Sequence, residues 1–183
     1  MPELKFIHSS MNTGKSTLVL QEHHSRGGLG LLYTGHSRKI GHVTSRLGIE
    51  ANAAEITADL DLYDDIRATN KPCYVLVDEA QFVTAKQVGQ LAAVVDQMHI
   101  DVYCYGLLTD FTGHLFAGSQ RLVELADRIE TAPVSAYCWC GKKASHNART
   151  ENGVMVHSGD QVSVGDIGEY KTLCRHHHMA GLA

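Results

Sequence analysis

Ser9-Ser10-Met11-Asn12-Thr13-Gly14-Lys15-Ser16 stands between a short apolar run, Leu4 to Ile7, and a helix-forming stretch that begins Thr17-Leu18-Val19-Leu20. A strand, a tight loop and a helix N-terminus in that order bring backbone N–H groups and the positive end of a helix dipole to one point, which suits a phosphate. In such a loop Gly14 lets the backbone approach the anion, Lys15 offsets charge on the outer phosphates, and the Ser16 hydroxyl reaches a bound Mg²⁺. The usual pattern, G-x-x-x-x-G-K-[ST], has glycine where this chain has Ser9. Serine is disfavoured there if the position needs a positive φ. An ordinary strand-to-helix turn with a solvated lysine is the competing reading.

A second segment decides between them. Cys73-Tyr74-Val75-Leu76-Val77 is a continuous run of strand formers, as in a central parallel strand buried on both faces, and it ends in Asp78-Glu79-Ala80-Gln81. Adjacent carboxylates at the end of a buried strand are costly unless something uses them. Asp78 there holds Mg²⁺, and Glu79, pointing to the other side of the chain, is available as a general base. Exposed loop acids are the plain alternative, and the pairing of the two motifs argues against it.

The rest of the first part alternates. A helix from Lys15 to about Ser25 stops at Gly27-Gly28, and a strand follows over Leu29–Thr34. The segment His36-Ser37-Arg38-Lys39 to Ser45-Arg46-Leu47-Gly48 is polar, basic and without periodicity, its arginines either phosphate contacts or solvated charges. Ala53–Thr57 reads as a weak strand, and Asp59 as the N-cap of a short helix bearing Leu62, Tyr63 and Ile66. Thr84 to Gln87 forms a capping box ahead of Val88, Leu91, Ala92 and Val95. A strand over Asp101–Leu107, a glycine-bearing loop and a helix with Leu122, Leu125 and Ala126 complete five strand–helix alternations, a doubly wound parallel α/β sheet of phosphate-loop type. Cys73 and Cys104 lie within strands and read as small core residues.

After Pro133 the character changes, so the chain divides into a nucleotide-binding domain over 1–133 and a small module over 134–183. Cys138-Trp139-Cys140 opens the module, Gly153, Gly159, Gly165 and Gly168 punctuate its middle, and Cys174-Arg175-His176-His177-His178 lies near its end. Two cysteines, a third and a histidine make the four ligands of a closed tetrahedral zinc site, against buried unliganded thiols. A short glycine-rich module with little core draws stability from a metal. His176, His177 and His178 compete for the fourth place; spacing favours His177.

Composition sets the outer limits. The 183 residues are 44% hydrophobic, enough for one or two compact domains. With 16 basic against 20 acidic residues, no electrostatic surplus draws the chain to nucleic acid. No signal peptide and no apolar run near the ~18 residues of a membrane span is present, and five cysteines fit a reducing compartment, so a cytoplasmic protein with no membrane partner is expected.

Ser-x-Met-Asn-x-Gly-Lys-Ser, then Val-Asp-Glu-Ala-Gln-Phe (Val77 to Phe82), Tyr-Gly-Leu-x-Thr-Asp-Phe (Tyr105 to Phe111), Cys-x-Cys-Gly-Lys-Lys-Ala and Tyr170 ahead of Cys174 together resemble the cytosolic, zinc-containing thymidine kinases, in their bacterial and phage branch. The resemblance covers nearly the whole chain, and that branch tolerates a residue other than glycine at the Ser9 position. It implies transfer of the γ-phosphoryl group of ATP to the 5′-hydroxyl of deoxythymidine, in a homotetramer. By the same resemblance Glu79 is the catalytic base. Ser9, Ser10, Met11, Asn12, Thr13, Gly14, Lys15, Ser16, Asp78, Glu79, Ala80 and Gln81 match the nucleotide-binding segments. Cys138, Cys140, Cys174 and His177 match the zinc ligands. Met11, Phe82, Phe111, Phe116 and Tyr170 match positions near the nucleoside, with core packing the alternative for each. A lasso loop over Gln161 to Tyr170 closes on the base in the family, which carries paired glycines where this chain has Gly165-Asp166. A nucleic-acid-handling ATPase and a kinase of broader deoxynucleoside choice are the other readings.

Overall fold

The computed structural model describes residues 1–37, 39–161 and 169–183. Strand β1 (Leu4–His8) leads through the phosphate loop into α1 (Lys15–Ser25), and β2 (Leu31–Thr34) follows. A ribbon of β3 (His42–Thr44) and β4 (Glu50–Asn52) precedes β5 (Ala54–Glu55), α2 (Leu62–Ala68) and β6 (Tyr74–Asp78). Then come α3 (Ala85–Ala93), extended by a π-helical turn over Val94–Met98, β7 (Asp101–Gly106), α4 (Ala117–Leu125) and β8 (Arg128–Thr131). The C-terminal part consists of β9 (His146–Glu151), β10 (Val154–Val156), β11 (Glu169–Leu173) and α5 (Arg175–Met179).

Six strands form one sheet in the order β5-β2-β6-β7-β1-β8, with every pairing parallel. All of β6 is buried. Its alternate residues serve two cores, as a two-residue period requires. Val75 and Val77 pack with Leu62, Ile66, Val88, Leu91 and Leu122 of α2, α3 and α4. Tyr74 and Leu76 face Val19 and Leu20 of α1 and Val43 of β3. Register places His8 beside Gly106 and Thr34 beside Asp78, so the phosphate loop and the two acids emerge along one carboxyl edge. Ligands of open α/β sheets bind at such an edge.

The expected architecture is present, with corrections in detail. The unpatterned basic segment is in part the antiparallel β3–β4 ribbon, which takes the place of a helix between β2 and β5, leaving four strand–helix units in the sheet where five alternations were expected. The sheet also carries β8, which pairs with β1. The N-cap of α2 is Asp61, not Asp59: its carboxylate accepts from Asp64 N at 3.0 Å and from Gln90 Nε2 at 2.6 Å, and the second bond ties the cap to α3. Leu29 and Leu107 lie outside their strands. Cys104 is buried as expected, but Cys73 is exposed just before β6. The capping box of α3 is formed in full by Thr84 and Gln87.

The second part is a three-stranded antiparallel sheet in the order β10-β9-β11 with α5 against it. Its core is Cys138, Ala148, Met155, Leu173 and Cys174. Among the described residues no helix is long and apolar enough to cross a membrane.

Candidate active site

The phosphate loop is built for an anion. Asn12 and Gly14 hold φ of 62° and 74°, which folds the loop back on itself, and α1 starts at Lys15 with no side-chain cap on its first N–H groups. Ser9 is not among the positive-φ residues, so the departure from glycine carries no backbone strain. Its hydroxyl is hydrogen-bonded to that of Thr13 at 2.5 Å, and Thr13 in turn donates to Ser10 O at 3.1 Å. Lys15 is buried and donates to Ser10 O at 2.9 Å. Burial lowers its pKa, and the charges of Glu79 and Asp78 oppose that shift.

The two acids are handled differently. Asp78 is buried at the end of β6, and its carboxyl is pushed above its usual range by burial first and then by the charge of Glu79, with a Ser16 hydrogen bond pulling back. Its Oδ1 has no hydrogen-bond partner among the described residues. An orphaned buried carboxylate oxygen beside a serine hydroxyl is a fitting donor set for Mg²⁺. Glu79 has φ 52° and opens a single 3₁₀ turn over Ala80–Phe82. A Cβ on Gly35 would lie 2.5 Å from Glu79 O, so glycine there permits this close passage. Gln81 is buried and bridges two groups: its Nε2 donates to Glu79 Oε2 at 2.5 Å and its Oε1 accepts from Leu107 N at 2.9 Å. Glu79, Lys15, Ser16, Met11 and Arg46 line one cavity of ≈490 Å³.

Of the aromatic candidates, Phe82 and Phe116 meet edge to face, their ring centroids 5.7 Å apart, and His36 packs on the other side of Phe82 at 5.6 Å. Phe111 and Phe116 are buried. Tyr170, on β11, stands opposite Arg149 of β9. Met11 N donates to Asn147 Oδ1 at 2.7 Å, which joins the phosphate loop to the second module. Asn147 and Arg149 carried no local signal beyond two polar residues at alternate positions. The lasso expected over Gln161 to Tyr170, with Gly165-Asp166, lies outside the described residues except at Gln161, Glu169 and Tyr170.

Cys138, Cys140, Cys174 and His177 present ligand atoms that all lie within 4.8 Å of one another, a cluster able to hold a metal ion. His177 Nδ1 is 3.2 Å from Cys138 Sγ and 3.6 Å from Cys174 Sγ. This answers the competition among the three histidines. His178 turns away and donates from Nε2 to Phe111 O at 2.9 Å. Trp139, largely exposed, stacks on the His177 ring at 4.1 Å and 13°.

A family model described as thymidine kinase matches residues 2–178. The chain is similar to the thymidine kinase of Cutibacterium acnes, 49% identical over 100% of this chain and 90% of that protein. It is 48% identical to the thymidine kinase of Streptomyces coelicolor over 97% of this chain and 89% of that one. With the thymidine kinase of Vibrio vulnificus strain CMCP6 the identity is 42%, covering 100% and 99% of the two chains.

Proposed function

The chain belongs to the thymidine kinase family and is a phosphotransferase, and from that premise we propose that it moves the γ-phosphoryl group of ATP to the 5′-hydroxyl of thymidine, with Glu79 accepting the hydroxyl proton. What carries this reading is the meeting of Lys15, Ser16, Arg46 and Glu79 on one cavity at the carboxyl edge of the sheet.

Phosphoryl transfer is chiefly positioning and charge stabilisation. The loop from Ser9 to Ser16 and the first N–H groups of α1 hold the phosphates. Lys15 exchanges its Ser10 carbonyl for a phosphate oxygen, and Arg46 approaches from the far wall. Asp78 and Ser16 would hold the Mg²⁺ that accompanies ATP, which would supply charge neutralisation at the phosphates. Gln81 fixes the Glu79 carboxylate so that it meets the 5′-hydroxyl already oriented, and Ala80 keeps the turn tight. A positioned base contributes roughly 10²- to 10⁴-fold. Met11, Phe82, Phe111, Phe116 and Tyr170 surround the nucleoside. Cys138, Cys140, Cys174 and His177 would hold a structural zinc, four protein ligands being the number that a closed tetrahedral site needs. The domain boundary after residue 133, the cytoplasmic location and the homotetramer belong to the same proposal, and light scattering on a sizing column reads the last.

Incubation with Mg-ATP and each deoxynucleoside in turn, followed by ADP release, tests the activity. Thymidine turns over, deoxyuridine more weakly, and the purine deoxynucleosides not at all, because a pocket shaped to one pyrimidine leaves a misfitted purine with unpaired buried groups. Equal turnover of deoxyadenosine would sink the assignment.

A further inference from the structure

Two residues of β9 face the first domain. Asn147 and Arg149 are two apart and so share a side of the strand, and Asn147 already touches the phosphate loop. Arg149 is buried, and its guanidinium carbon sits 4.1 Å from the centre of the Phe111 ring. Nη1 donates to Asp160 O at 3.2 Å and Nη2 to Ser158 O at 3.4 Å. Among the described residues one acid, Glu151, comes within 4.0 Å of it, on a side chain that is 54% exposed. The buried cation is thus compensated by two carbonyl oxygens and an aromatic face rather than by a close carboxylate. Room for it comes from Gly159, at φ +127°, where a Cβ would stand 2.6 Å from Nη2. A second tie joins the same two segments: Gln161 Nε2 donates to Asp110 Oδ2 at 2.8 Å.

We infer that Arg149 is a positioning residue for the nucleoside, acting through Phe111: it covers one face of that ring and locks it to the turn at Ser158–Gln161, with Gly159 as the matching cradle. This rests on the reading of Phe111 as a nucleoside contact. A ring fixed before binding loses no freedom when the base arrives, and that lowers KM without touching the chemical step. Arg149 does not line the cavity that holds Lys15, Ser16 and Glu79, so ATP use is independent of it.

The test is a cycle of Arg149→Met, Gly159→Ala and the double variant, read by steady-state kinetics and by thermal unfolding without substrate. Arg149→Met keeps the stem but not the donors, and KM for thymidine rises about tenfold with kcat and KM for ATP within about twofold. Gly159→Ala gives the same split, and the double variant is no worse than the more affected single one. Arg149→Lys, which keeps charge without the planar fork, does not restore KM. An unchanged KM for thymidine, a matching fall in kcat, or effects that multiply in the double variant overturn the inference. Should the wild-type protein fail to phosphorylate thymidine, the functional reading falls on its own. The unfolding cycle still judges the clamp, because additive losses in Tm refute it and sub-additive ones support it.

Discussion

The two parts of the molecule are held together by different means. The parallel sheet is buried between two apolar cores, one under α2, α3 and α4 and the other under α1 and the β3–β4 ribbon. Among its described residues the C-terminal module has one small cluster, and two of its members, Cys138 and Cys174, are thiols of the group able to hold a metal. Apolar burial is the main support of the first, which lets it tolerate an orphaned carboxylate and a buried lysine at its edge. The second has too few apolar side chains for that and leans on its ligands. On the proposed function, the nucleoside end of the reaction would therefore depend on the less self-sufficient half.

Removing the metal separates the halves most strongly, since a structural zinc contributes on the order of 10 kcal/mol to the fold around it. Chelation is expected to raise KM for thymidine and melt the module while the sheet keeps its own transition and still binds Mg-ATP. Cys174→Ser does the same in milder form. A single joint transition with and without chelator, seen by calorimetry, would erase the distinction.

Next in size is Glu79→Gln, which keeps reach but removes basicity. A fall in kcat of roughly 10²- to 10⁴-fold is expected, with Mg-ATP binding, zinc content and Tm unchanged. Retention of kcat within a small factor would return Glu79 to a structural role.

Asp78 sharpens the contrast through pH. Its folded pKa is raised, so the ligand-free fold binds more protons than the unfolded chain, and stability falls as pH rises from the unfolded value through the folded one. Mg²⁺ needs the carboxylate, so its affinity moves the other way, rising by up to about tenfold per pH unit below the folded pKa and levelling above it. Asp78→Asn flattens both profiles, weakens Mg-ATP and raises the Tm of the ligand-free protein at neutral pH. Calorimetric titrations at several pH values measure each slope.

The smallest effect is Thr84→Ala, which removes the cap of α3 and costs about 1 kcal/mol. The sheet transition drops by a few degrees, with KM for thymidine and zinc content untouched. A rise in that KM would show the halves to be more tightly coupled than their separate cores suggest.

What was legible in the sequence was local. The strand–loop–helix around Lys15, the acids closing β6, the capping box and the cysteine pairs are each written within a few consecutive residues, and the structure has the strand, loop and helix, the strand end, the capping box and the Cys/His cluster in those places. Two short elements were not legible. His42–Thr44 and Glu50–Asn52 are too brief and too polar to show a strand period, and only Val43 and the half-buried Ala51 anchor them to the core among the described residues. Asp59 and Asp61 are equivalent as isolated caps, and Gln90, far along the chain, decides between them. The ties between the halves were invisible for the same reason: Asn147 and Arg149 find their partners at Met11 and Phe111 by folding, not by spacing. Glu79 was readable as a strand-end carboxylate, whereas the grip of Gln81 on it required the turn to be seen.

Trp139 is the one tryptophan of the chain, and it lies flat on the imidazole of His177, one of the four side chains able to hold a metal, while remaining largely exposed. Nature has in effect labelled the site. An ion bound by His177 would alter the immediate surroundings of a single fluorophore, with no second indole to blur the signal. Metal loading, loss and exchange can each be timed by intrinsic emission in the unmodified protein, while the enzyme turns over in the same cuvette.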